Sequence, residues 1–433
     1  MIRPDEFTRR RARLLSETGP GSIVVVASAR EVLRNGDSCY PFRQDSDFWY
    51  LTGFDEPEAV LVLVPGRESG EQILFLRESD PERERWDGPR LGLAGAIEQL
   101  GMEDAFPVHD LDDILPGLME GCERLYHLVG KDPAFDQRVL GWRNRLRARS
   151  KGQKGPGEIV SLEHLLHEQR LIKSSEEIRC MRRAAGVAAQ AMTRAMRTCR
   201  PGMNEGEIQA ELIHEYQRQG CPPSYLPIVA GGANALILHY IANNQPLPDE
   251  GLLLIDAGCE YHNYAADISR TFPVAGRFSP AQRDVYEIVL ASQHAAIDEV
   301  RSGRPFQAYH EAAVRVLVQG LIDLKLLAGS VDDNIEQERF RRFYMHKTGH
   351  WLGLDVHDVG DYRIESQSRL LERNMVVTVE PGLYIGADDD IPEALRNIGI
   401  RVEDDIRVTQ GDPENLTRAV PSAADAIEEL MRG

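Results

Sequence analysis

The sequence predicts an α/β (α+β) chain of two domains, and three observations carry that prediction. Apolar runs suited to strands recur in the first third of the chain. A polar, glycine-rich segment interrupts it at 150–158, and two apolar hairpin patterns in its second half carry acidic side chains where burial is expected. At 433 residues the chain exceeds one ordinary core, so two domains are the natural division.

Taken in order, SIVVVAS, EAVLVLVPG and EQILFLR read as strands of an α/β domain, and no phosphate-binding glycine fingerprint follows any of them. The run RRRAR at 9–13 is expected to decorate a helix face. SKGQKGPGE at 150–158 has linker composition, and IVSLEHLLHEQRLI after it is expected to form a connecting helix. A strong amphipathic helix follows. Ser174 and Glu177 stand at capping-box spacing, and Ile178, Met181, Ala185, Ala188, Met192 and Met196 form one stripe, whose methionines read as core. The expected domains are residues 1–172, including the connecting helix, and 173–433.

The segment GLLLIDAGCEYHNYAADISRTFPVAG (251–276) reads as two strands around a polar turn. With the turn centred on Tyr261 and His262, Asp256 and Asp267 become directly opposed neighbours, their Cβ atoms about 4.5–5.5 Å apart. Like charges so placed destabilise the pair unless a cation lies between them. A second hairpin, NMVVTVEPGLYIG (374–386) and NIGIRVEDDIRVT (397–409), sets Glu380 and Glu403 where its pattern calls for buried residues. Glutamate is almost never buried without a partner. Asp404 and Asp405 read as a solvated strand end.

Between the hairpins, FYMHKTGHWLGLDVHDVG (343–360) brings His346, His350 and His357 within twelve positions, flanked by Gly349 and Gly353. The glycines permit close backbone approach, so a compact loop with a short strand is expected rather than a helical HExxH zinc site. Asp256, Asp267, His350, Glu380 and Glu403 thus form a candidate ligand set. Four carboxylates and one imidazole suit two hard divalent ions, manganese first, with cobalt, magnesium or zinc as alternatives, better than one tetrahedral zinc. Two such ions lower the pKa of a bridging water toward neutrality and hold hydroxide as the nucleophile. Glu380 is the candidate proton shuttle. Cys259, near Asp256, reads as a buried structural thiol.

The blocks IDAGCEY, ADISRTFP, HKTGHWLGLDVHD, VEPGLYI and GIRVEDD resemble those of the Xaa-Pro aminopeptidases, metallopeptidases related to prolidase, methionine aminopeptidase and creatinase. YPFRQDSDFWYLTGFDEPEAVLVL (40–63) resembles their amino-terminal domain, so the likeness covers most of the chain. It implies a pita-bread catalytic domain of two pseudo-twofold α/β halves, preceded by a smaller creatinase-like α/β domain that serves oligomerisation and substrate-length control. By resemblance, Asp256 binds one metal only, Asp267 and Glu403 bridge both, and His350 and Glu380 bind the second. His239, His346 and His357 surround the substrate, with His357 on the scissile carbonyl or its tetrahedral product. Arg401 accompanies the carboxylates and the peptide beyond proline, and Tyr225 lines the same pocket. Lys347 departs from relatives, which often carry a small residue or arginine there, and this bears on peptide preference.

The implied activity removes the first residue from peptides whose second residue is proline. The nearest alternative is prolidase, which shares the five ligands but is restricted to dipeptides; a metal-free binding module or a creatinase-type enzyme would have lost several of them. The likeness also implies a homotetramer, with a dimer as the alternative. Trp86 reads as a surface or interface aromatic, and by resemblance it is the candidate residue lent to a neighbouring subunit's site.

Composition excludes other classes. Fifty basic and 69 acidic side chains give a net charge of −19, which opposes nucleic-acid or anionic-membrane binding as a main role. Six cysteines without CxxC spacing read as reduced thiols. MIRPDEFTRRRARLL has no apolar signal core, and no stretch of about 18 apolar residues occurs, so a soluble cytoplasmic enzyme is expected.

Overall fold

The computed structural model describes residues 2–149 and 155–432, and the chain divides into two compact units, Ile2–Arg170 and Leu171–Gly433. Most of the expected linker, residues 150–154, lies outside the described residues.

The amino-terminal unit is built on a six-stranded mixed sheet. Its strands run in the order Asp104–Pro107, Gln72–Leu76, Val60–Leu63, Ser22–Ala27, Arg124–His127 and Glu158–Ser161. Ile23, Val25, Val62, Ile73 and Phe75 pack with Leu111, Leu115, Phe135 and Trp142 from its helices into one core. Near-continuous apolar runs such as Ile23–Val26 fit strands buried on both faces. Two expectations fail here. Ile159–Ser161 does not begin a helix: it belongs to an edge strand, parallel to Arg124–His127, and the helix starts at Glu163. The arginine run is not simply a solvated face either. Arg10 and Arg11 are buried, Arg11 donating to the carbonyls of Leu51 and Leu100 and to Gln72, because a guanidinium can satisfy several backbone acceptors that helix and sheet leave open.

In the carboxy-terminal unit each half contributes two helices followed by antiparallel strands. The first half has helices Ser175–Thr198 and Glu205–Arg218, then strands Ile228–Gly231, Leu252–Asp256 and Ser269–Pro273. The second has helices Pro280–Glu299 and Phe306–Asp323, then the pairs Val376–Val379 with Asp404–Arg407 and Gly382–Ile385 with Ile398–Arg401. Ser174 caps the first helix through the expected box: its hydroxyl accepts the Glu177 N–H and its own N–H is held by the Glu177 carboxylate. The predicted stripe from Ile178 to Met196 is buried throughout, with Ala185, Ala188, Met192 and Met196 in the main core.

The hairpin registers decide where the acids point. In the first, Asp256 pairs with Ser269, not Asp267. The turn sits one residue later than expected, on His262 and Asn263, which both adopt positive φ, as a two-residue hairpin turn demands. Asp267 is therefore a diagonal neighbour of Asp256. In the second hairpin, Val379 pairs with Asp404 and Gly382 with Arg401, so the shared register sets Glu380 across from Glu403 at the break between the two ladders. Both backbone N–H groups at that break turn elsewhere: Glu380 donates to the Thr348 carbonyl at 2.7 Å and Glu403 to the Ser269 carbonyl at 3.0 Å. The second bond, with the Arg401 N–H to Thr271 Oγ1, stitches the two halves together where their acids meet.

Asp404 and Asp405 are not a solvated strand end. Both are buried. Asp404 accepts from Arg270, Gln293 and Thr417, and Asp405 accepts the backbone N–H of Asp267 at 3.2 Å. No helix among the described residues is long and apolar enough to cross a membrane.

Candidate active site

A cavity of about 620 Å³ in the carboxy-terminal unit is lined by Asp256, Asp267, His350, Glu380 and Glu403 together with His239, His346, His357 and Arg401. The chain delivers these from separate places. Asp256 ends its strand, Asp267 precedes the partner strand, and Glu380 and Glu403 occupy the facing breaks of the second hairpin. His350 comes from the intervening loop. A close approach fixes it: a Cβ on Gly349 would lie 1.9 Å from the Thr378 carbonyl oxygen, while the His350 N–H donates to Thr378 Oγ1 at 3.1 Å.

Ligand atoms of Asp267, His350 and Glu403 all lie within 4.8 Å of one another, close enough to share a cation. His350 Nε2 stands 3.6 Å from Asp267 Oδ2 and 3.7 Å from Glu380 Oε1. Its Nδ1 donates to the Trp351 carbonyl at 2.9 Å, which fixes the ring and leaves Nε2 for the centre. Asp256 is bound from both sides, by the Tyr225 hydroxyl on Oδ1 at 2.5 Å and the Arg401 guanidinium on Oδ2 at 2.6 Å. Tyr225 also reaches Asp267.

A second set of contacts surrounds Arg401. It donates to Ser269 Oγ at 2.8 Å and to the Tyr384 hydroxyl at 3.0 Å, and Ser269 in turn donates to Glu403 Oε2 at 2.9 Å. His346 donates through Nδ1 to the Lys347 carbonyl and accepts through Nε2 from Tyr384 at 2.9 Å. The His350 and His357 rings meet edge to face, centroids 4.2 Å apart. His239 and His357 are exposed to the cavity.

Electrostatics reflect four acids in a confined, desolvated space. Burial pushes Asp256 up to about 6 despite Arg401, and Glu380 up to about 7 despite His350 and Arg401. Burial, then the charges of Asp267, Glu380 and Asp256, holds Glu403 well above the ordinary range. Burial also opposes charge on Asp267, but the hydrogen bond and charge of His350 prevail and keep it below the usual value. His350 loses by burial and gains more from Asp267 and Glu380, rising to about 9. Burial and Arg401 hold His346 down at about 4, and burial and His350 lower His357.

Trp86 is absent from this lining. It lies in the amino-terminal unit, on the short helix Glu84–Asp87, 84% exposed. Three contributors escaped sequence reasoning. Tyr384 stands four positions after Glu380 within a block already singled out, Ser269 shares the alternation of Asp267, and Thr348 bonds both His310 and Tyr344. Alternation pointed to Ser269; nothing local pointed to Thr348.

Residues 179–410 match the model of metallopeptidase family M24, and residues 7–126 match the aminopeptidase P N-terminal domain. The Xaa-Pro aminopeptidase of Escherichia coli (strain K12) is 46% identical over 99% of this chain and 98% of its own length. The structure of Pseudomonas aeruginosa aminopeptidase PepP superposes with a TM-score of 0.99 at 51% identity, covering 100% of this chain and 99% of that one. A zinc-substituted E. coli aminopeptidase P in complex with product gives a TM-score of 0.97 at 46% identity, covering 100% of this chain and 98% of that one. With the carboxylates and imidazole gathered as described, the chain belongs to metallopeptidase family M24 and, within it, to the Xaa-Pro aminopeptidases, with their pita-bread fold.

Proposed function

We propose that this chain hydrolyses the peptide bond between a first residue and a following proline using two divalent ions, manganese in the cell, held by Asp256, Asp267, His350, Glu380 and Glu403. The observation that carries this reading is the convergence of three donors within 4.8 Å, with Asp256 and Glu380 lining the same cavity. Oxygen-rich donors and one imidazole suit manganese. Bound there, two divalent ions supply Lewis acidity, activating water and countering charge on the carbonyl oxygen. Asp267, His350 and Glu403 would form the heart of that ligand set, with Asp256 and Glu380 completing it from the same cavity wall.

The remaining steps fall to side chains. Glu380 takes a proton from the attacking water and returns it to the proline nitrogen; its position in the cavity, with Oε1 3.7 Å from His350 and Oε2 3.9 Å from His346, supports that role. His357, exposed to the cavity, donates to the carbonyl oxygen as charge grows there. Tyr384, itself bonded by Arg401, holds His346, and His346 and His239 border the bound peptide. Arg401 and Tyr225 orient Asp256, beside which the substrate's free amino group is held, limiting removal to one residue.

The amino-terminal unit serves assembly and control of peptide length, as a homotetramer, with Trp86 at an interface; its 84% exposure supports an aromatic awaiting cover. Six free thiols support a cytoplasmic setting. A panel of Xaa-Pro peptides of increasing length, assayed with manganese and after chelation, tests the whole reading. Cleavage of tripeptides and longer chains that stops on chelation is expected, and cleavage of dipeptides alone would turn the assignment to a prolidase.

A further inference from the structure

The cavity lining divides by charge. Asp256, Asp267, Glu380 and Glu403 cluster around Arg401 and His350, and no further carboxylate lines the cavity. Two further cations do: Lys347 and Arg363, both exposed. Arg401 spends its charge on Asp256 at 2.6 Å. By contrast, among the described residues Lys347 has no acidic partner, and Arg363 donates only to the Ser366 carbonyl of its own hairpin.

Both cations are carried on anchored backbone. The carbonyl of Lys347 accepts from His346 Nδ1 at 2.7 Å. The hairpin Arg363–Ile364 with Gln367–Ser368 is tied to the start of helix Phe306–Asp323 by the Gln307 N–H on Ser368 Oγ at 3.0 Å and the Phe306 N–H on the Arg369 carbonyl at 2.7 Å. In a chain of net charge −19, two unpaired cations facing one cavity are a local reversal of sign. A peptide with its first residue at the carboxylate cluster extends past the proline along the rest of the lining, which includes these two cations. Charge there meets Lys347 and Arg363.

We propose that Lys347 and Arg363 are specificity-determining residues that favour peptides carrying a carboxylate beyond the proline, either the terminal carboxylate of a tripeptide or an acidic third side chain. This rests on the Xaa-Pro aminopeptidase reading. An exposed charge pair contributes modestly, so the two cations together favour an anionic over a neutral peptide by about threefold to tenfold. The preference acts through KM and weakens as salt rises.

The test compares kcat/KM of the manganese-loaded protein for Ala-Pro-Ala, Ala-Pro-Ala-amide and Ala-Pro-Glu-amide. The wild type is expected to prefer one or both anionic peptides over the neutral amide. Preference for Ala-Pro-Ala alone assigns the terminal carboxylate, and preference for the glutamate peptide assigns the side chain. In Lys347→Met/Arg363→Met the three peptides should converge, while Lys347→Arg keeps the spread. Equal rates in the wild type, or an undiminished spread in the double variant, would overturn the inference. No cleavage of any peptide would overturn the peptidase reading and this inference with it.

Discussion

Arg401 donates to Asp256 Oδ2 at 2.6 Å, a side-chain link between the two halves of the catalytic unit, since Arg401 ends a strand of the second hairpin and Asp256 a strand of the first. Burial, joined by the charge of Asp267, drives Asp256 toward the neutral acid, and Arg401 opposes it. Replacing Arg401 by Met should therefore lower both metal affinity and kcat/KM, by about 10–100-fold, the usual cost of losing a group that orients a ligand. Titration calorimetry with manganese and rates on Ala-Pro-Ala check this; an unaltered affinity would show that Arg401 does not govern the Asp256 carboxylate.

The metal-free protein should lose stability as pH rises from 7 to 9. Glu380, raised to about 7, and Glu403, raised well above the ordinary carboxylate range, hold protons in the folded state that the unfolded chain has already released, and His350, raised to about 9, does the same. The native state thus binds more protons in this window, and unfolding free energy falls with increasing pH. His310 and His346, lowered to about 4, oppose this only weakly, because by pH 7 the unfolded imidazoles have already shed most of their protons. Thermal melts of chelated protein at pH 7 and pH 9 should show a lower Tm at pH 9, with a smaller drop in manganese-loaded protein. Equal drops in both forms would contradict the assignment.

Asp405 offers a sharper contrast. Burial and the charge of Asp267 push its carboxyl well above the ordinary range, its Oδ2 accepts the Asp267 N–H, and its Oδ1 has no hydrogen-bond partner among the described residues. Asn at this position keeps an acceptor without a charge, so Asp405→Asn should change stability by under about 0.5 kcal/mol. Asp405→Ala strands the Asp267 N–H and should cost about 1–3 kcal/mol. Urea denaturation of both variants decides it: equal losses would mean that the bond to Asp267 is not what keeps Asp405 buried.

Gly349 admits no side chain where it stands. Its place against the Thr378 carbonyl puts Gly349→Ala in direct conflict with backbone, so the loop carrying His350 must shift. A destabilisation of about 1–3 kcal/mol is expected, accompanied by weaker manganese binding. Wild-type affinity in that variant would show that the loop tolerates displacement without moving His350.

The sequence made the ligand set legible because a carboxylate within an apolar strand is a conspicuous contradiction, as Glu380 and Glu403 illustrate. Register was not legible at the first hairpin. The turn shifted by one residue because His262 and Asn263 take positive φ, a preference that Asn announces and His does not. Nor was the burial of Asp404 and Asp405, since the partners that make it tolerable, Arg270, Gln293 and Thr417, come from distant segments. Arg10 and Arg11 misled for the same reason: their acceptors include backbone carbonyls at Tyr50, Leu51 and Leu100 and the Gln72 side chain, all distant in sequence. Local pattern reports which residues contradict their surroundings, whereas their partners are fixed by tertiary structure.

The most direct test measures metal per chain and hydrolysis of Ala-Pro-Ala side by side in wild type and Asp267→Asn. The account predicts about two ions per wild-type chain, with activity lost on chelation and restored by manganese. In the variant it predicts reduced metal content and a rate lower by at least about 100-fold. Unchanged metal content and unchanged activity in Asp267→Asn would contradict it.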